Sequence, residues 1–142
     1  MTKKAFRMVI AVILMTVIVP FAVAQRAVRP PPAFVGTWHI DFPMGHGVRA
    51  AYILEIGSDG SVIWYVRFSN LTASIRHNVP IISALERLVI ISTVTSASNS
   101  EITVVSNDTG GRETFRLVGQ SLVTYNFNGD IVRYTRGQPP SW

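Results

Sequence analysis

The chain of 142 residues contains no cysteine, which excludes disulfide staples, thiolate metal centres, cysteine nucleophiles and a lipid anchor on a cysteine at a leader cleavage point. Lysine is confined to Lys3 and Lys4, so no Ser-x-x-Lys arrangement exists, and no Gly-x-Ser-x-Gly elbow occurs either. Charged residues are scarce at 15%. The carboxylates are scattered over turns (Asp59, Asp108, Asp130) and strand faces expected to point outward (Asp41, Glu55, Glu113), which supplies no acid/base pair. The arginines are spread from Arg26 to Arg136 without a basic run, so nothing tracks a phosphate backbone and nucleic acid is not an expected partner. His39 and Asp41 share one strand face and His46 follows in a Gly-His-Gly loop, but no ligand pair has metal-binding spacing, and the group reads as a solvated face. His77 stands alone. The expectation is a non-enzymatic protein with no cofactor and no metal.

What is present begins with an export pattern. Lys3, Lys4 and Arg7 precede an apolar run over 8–19 interrupted only by Thr16, and Ala22-Val23-Ala24 follows. That is the plan of a signal peptide over 1–24, with the mature protein periplasmic or extracellular. Pro20 and the shortness of the run count against a permanent anchor, because about 20 apolar residues are needed to cross a bilayer. No stable membrane span is therefore expected after cleavage. The three basic residues leave with the leader, so much of the formal charge of +5 belongs to targeting. The remainder suffices for one domain with its own core.

Arg29-Pro30-Pro31-Pro32 lacks ladder donors, and 25–33 reads as a Pro-rich tether; 137–142 reads as a C-terminal tail. Between them, 34–136 alternates short runs rich in Val, Ile, Thr, Tyr and Phe with turn signals at 57–60, 96–100, 108–111, 119–120 and 128–130. Strands are expected at 34–42, 50–57, 61–69, 71–77, 85–94, 101–107, 112–118, 121–127 and 131–136. The fold class is all-β, an antiparallel up-and-down barrel of about eight strands. Alternation turns Phe34, Trp38, Ile40 and Phe42 inward, followed by Tyr52, Leu54 and Ile56, then Val62, Trp64, Val66 and Phe68, then Phe115 and Leu117, then Val123, Tyr125 and Phe127. The stretch 81–94 is apolar on both faces and leaves open a short helix near 81–88.

Gly36-Thr37-Trp38 on the first strand, the hairpin over 53–65 with its Asp-Gly turn, and Tyr134-Thr135-Arg136 at the end of the last strand together resemble the lipocalin-like, calycin-type family. That resemblance implies a closed barrel in which a C-terminal arginine packs over the first-strand tryptophan. The pair would be Trp38 with Arg136, and Arg133 the alternative.

Two functions follow as expectations. In one, the barrel binds a small apolar or aromatic ligand in an interior lined by aromatic residues. Trp38 is reserved for the seam, and Tyr52, Trp64, Phe68, Phe115 and Tyr125 are the candidate ligand-binding residues. In the other, those side chains simply fill a narrow barrel, and the outer surface docks a protein partner or a second copy through the two-faced strand at 88–91. Asn70-Leu71-Thr72 and Asn107-Asp108-Thr109 match glycosylation acceptors for a eukaryotic secreted chain.

Overall fold

The computed structural model of the chain describes residues 26–45, 48–68, 88–126 and 128–140. The expected leader, the expected strand at 71–77 and nearly all of the expected helix at 81–88 lie outside the described residues. Eight antiparallel strands follow one another in order and close into a barrel: β1 Gly36–Gly45, β2 Val48–Ile56, β3 Ser61–Phe68, β4 Val89–Ala97, β5 Glu101–Ser106, β6 Arg112–Val118, β7 Ser121–Tyr125 and β8 Ile131–Arg136. β3 pairs directly with β4, Ser61 opposite Thr93 and Tyr65 opposite Val89, so closure needs no strand from 71–77. The seam is the pairing of Trp38 with Arg136 and His39 with Thr135, extended by Gly137 N–H donating to Thr37 O at 2.7 Å.

The turns form where glycine, asparagine and aspartate permit them. In the β2–β3 turn Gly60 N–H donates to Gly57 O at 3.1 Å, while the Asp59 carboxylate accepts from the Ser61 amide at 2.9 Å. In the β7–β8 turn the Asn126 side-chain oxygen accepts from the amides of Asn128 and Asp130, an Asx-type arrangement that substitutes for a backbone turn. A bulge between Val94 and Ser96 lets β4 gain a residue against β5.

Register and burial together fix the inner face. Trp38 pairs with Leu54, Leu54 with Trp64, Trp64 with Ile90, and further round Val104 with Glu113 and Thr124 with Val132. The inward assignments on β1 to β3 match the expected ones. Two others are corrected. The tight β6–β7 hairpin sets Leu117 opposite Leu122, which puts Leu122 and Thr124 inside and carries Val123 and Tyr125 to the outer face, where Tyr125 is 57% exposed. Glu113, expected outside, faces inward with Phe115 two residues on, because it stands opposite the inward Val104.

One end of the barrel is sealed. Pro32–Phe34 forms a 3₁₀ turn that delivers Phe34, wholly buried, beneath Trp38, also wholly buried. The Trp38 indole N–H donates to Phe34 O at 2.9 Å. The Arg136 guanidinium lies 4.1 Å from the Trp38 ring centroid and donates to the carbonyls of Val35, at 3.0 Å, and Ala33. The segment read as a tether is thus held against this end: Val28 N–H donates to Val94 O at 2.8 Å, and Pro30 is buried. Gly60, with φ of +87°, accommodates it, since a β-carbon there would meet Val28 O at 2.4 Å.

Candidate functional site

Above the sealed base the barrel is not filled. A cavity of about 340 Å³ lies between the strands, lined among the described residues from every strand except β1. That volume falls in the lower part of the range, roughly 300–1,000 Å³, in which small-molecule sites are found. Its walls are mainly apolar: Leu54, Val62, Ile90, Val104, Phe115 and Val132 contribute aliphatic and aromatic surface. The rings are arranged in contact. Tyr52 and Trp64 are tilted against each other with centroids 5.0 Å apart, Phe42 meets Tyr52 edge-on at 4.9 Å, and Phe115 meets Tyr134 edge-on at 6.2 Å. Such pairs stiffen the wall that a ligand would face.

Of the sequence-derived candidates, Tyr52, Trp64 and Phe115 come together on this cavity. Phe68 shares their face but lies beyond them, half-buried near the open end of β3. Tyr125 is outside the interior and lines a wider groove of about 680 Å³ at the rim instead. The groove and the cavity share Ile90, Ser92, Val104, Glu113 and Asn126, so the interior opens past Glu113 to the rim. Trp38 and Arg136 stay with the floor.

Polar groups interrupt the apolar wall. Glu113 reaches the cavity from β6, Thr124 and Asn126 from β7 and its end, Ser92 from β4, and Tyr134 from β8. Burial pushes the Tyr134 hydroxyl up to about 12, against a hydrogen bond from the Trp64 side chain, and nearby Glu113 and Tyr52 push it the same way. Burial also raises the Glu113 carboxyl. Glu113 remains accessible through the mouth, but enough protein surrounds it to disfavour its charge. Thr124 donates its hydroxyl to Thr114 O at 2.8 Å, which fixes its rotamer on the wall. Among the described residues no buried side-chain nitrogen or oxygen lacks a hydrogen-bond partner.

Sequence reasoning missed Glu113 and Tyr134 as cavity residues. Both had a signal in strand periodicity: Glu113 is two residues from the inward Phe115, and Tyr134 is two residues from Arg136. The histidine and aspartate on the outer face of β1 are engaged elsewhere. His39 Nδ1–H donates to Gly137 O at 2.7 Å, Asp41 pairs with Arg49, and His46 lies outside the described residues. No protein-family model, curated protein or solved structure matches this chain.

Proposed function

We propose that the protein is an exported, lipocalin-like barrel that binds a small aromatic or apolar ligand in its interior. The observation that carries this reading is the cavity itself, open at the rim and closed at the base by Phe34, Trp38 and Arg136. The seam expected from the family resemblance supports it, as does the leader-like start of the chain. Tyr52, Trp64 and Phe115 supply the binding surface. Their burial against a ligand gains roughly 25 cal/mol per Å² of apolar area covered.

Two of the three tryptophans provide the test. The Trp64 indole is on the cavity wall, whereas the Trp38 indole is tied to Phe34 O in the base. Titration with 2-phenylethanol, followed by the indole N–H resonances, should move the Trp64 signal saturably and leave the Trp38 signal in place. A Trp64 signal unmoved by this alcohol and by ionic analogues of the same size at millimolar concentration would contradict the reading.

One observation favours a second reading, a docking surface on the outside. Ile63, Val89 and Ile91 form an apolar row on paired strands, with Val89 and Ile91 50% and 51% exposed. Ile90, by contrast, faces the cavity. The informative substitution for docking is therefore Ile91→Glu, with oligomeric state as the readout.

A further inference from the structure

The cavity has an acidic group and no basic one among the described residues that line it. Among the described residues Glu113 forms no ion pair. The two salt bridges among the described residues, Arg49 with Asp41 and Arg116 with Glu101, lie elsewhere on the surface. Among the described residues the other charge on the inner face, Arg136, is committed at the base to the Trp38 ring and to two backbone carbonyls. Glu113 is thus the one charged side chain among the described residues that line the cavity, on a wall made largely of aromatic and aliphatic side chains.

Its neighbours narrow the ligand chemistry. Tyr52, Trp64 and Tyr134 line the same space, and aromatic faces attract a cation through their negative quadrupole. A carboxylate partly withdrawn from water gains most from a ligand that brings the opposite charge and N–H donors, because the charge-assisted bond restores what burial removed. An anion would meet Glu113 as a like charge. A neutral ligand would leave the carboxylate as it is.

We propose that the cavity selects small organic cations, aryl- or alkyl-ammonium compounds whose charged nitrogen sits against Glu113 while the apolar body packs among Tyr52, Trp64 and Phe115. This rests on the interior being the ligand site and adds the class of ligand. The burial that raises the Glu113 carboxyl fits a site that lacks its counter-charge until the ligand arrives. Ser92 and Thr124, on the same wall, offer oxygen acceptors for further N–H groups.

The test compares three probes of nearly equal size on the intact protein at neutral pH: 2-phenylethylamine, which is protonated there, 2-phenylethanol and 3-phenylpropanoate. Dissociation constants are read from the Trp64 indole resonance in the native protein, in Glu113→Gln and in Glu113→Met. The ammonium should bind the native protein about tenfold or more tightly than the alcohol, with the carboxylate weakest. That advantage should shrink to about threefold or less in both variants, with the preference taken as a ratio within each protein so that general loosening cancels. Equal binding of ammonium and alcohol to the native protein would overturn the proposal while leaving the cavity as a ligand site. An ammonium preference that survives both substitutions would overturn it too, because Glu113 would not be the recognising group. If none of the probes moves the Trp64 resonance, the interior reading fails and the proposal fails with it.

Discussion

Arg136 joins the two ends of the folded chain. Its guanidinium covers the face of Trp38 and reaches back to the carbonyls of Ala33 and Val35, so one side chain ties β8, β1 and the entry turn together. Gly36, with φ of +129°, leaves the room, since a β-carbon there would stand 3.3 Å from Arg136 Nη1. Arg136→Met keeps the stem and removes the fork. It should cost about 1–2 kcal/mol of stability in urea unfolding, and Trp38→Leu and Arg136→Met should be non-additive. Glu113 acts in the opposite direction. Burial raises its carboxyl above the ordinary 4.5, so the folded chain holds that proton more tightly than the unfolded one. Its contribution to stability is therefore present below about 4.5 and is lost as pH rises through the raised folded value. Glu113→Gln should stabilise the protein at pH 8 and change it little at pH 4, as measured by chemical denaturation at each pH. Tyr134 has the same sign at the alkaline end, with stability lost between 10.0 and about 12.

At the scale of elements, the legible parts of the sequence were those where pattern and pairing agree. β1, β2 and β3 alternate cleanly, and Gly57-Ser58-Asp59-Gly60 fixes their hairpin, so Trp38, Tyr52 and Trp64 were placed inward from the sequence alone. β7 was misread because two rules conflicted. Val123, Tyr125 and Phe127 form an apolar set of period two, whereas the two-residue connection at Gly119-Gln120 pairs Leu117 with Leu122 and gives the opposite parity. The hairpin prevails because register is set by hydrogen bonding across the turn. Glu113 was misplaced for a related reason: a carboxylate was assumed to face water even though its spacing from Phe115 says otherwise. The Pro-rich segment was illegible because its packing depends on tertiary contacts, Val28 against Val94 and over Gly60. Gly60→Ala should dislodge it, as its β-carbon would overlap Val28 O. Amide exchange should then accelerate at Val28 while the amides paired between β1 and β2 keep their protection.

Across the whole molecule, the closed ladder leaves no free sheet edge among the described strands, and the two ends of the barrel differ. One is packed with Phe34, Trp38 and the 26–35 segment. The other opens past Glu113 to a groove rimmed by Tyr125 and the 107–111 turn. This asymmetry is why the interior, and not the outer apolar row, is proposed as the ligand site. The most direct measurement is the pattern of nuclear Overhauser contacts between the ring protons of bound 2-phenylethylammonium and the methyl groups of the protein. Contacts to Leu54, Val62, Val104 and Val132, all on the cavity wall, are the predicted result. Contacts confined to Val89 and Ile91 on the outer face would contradict it.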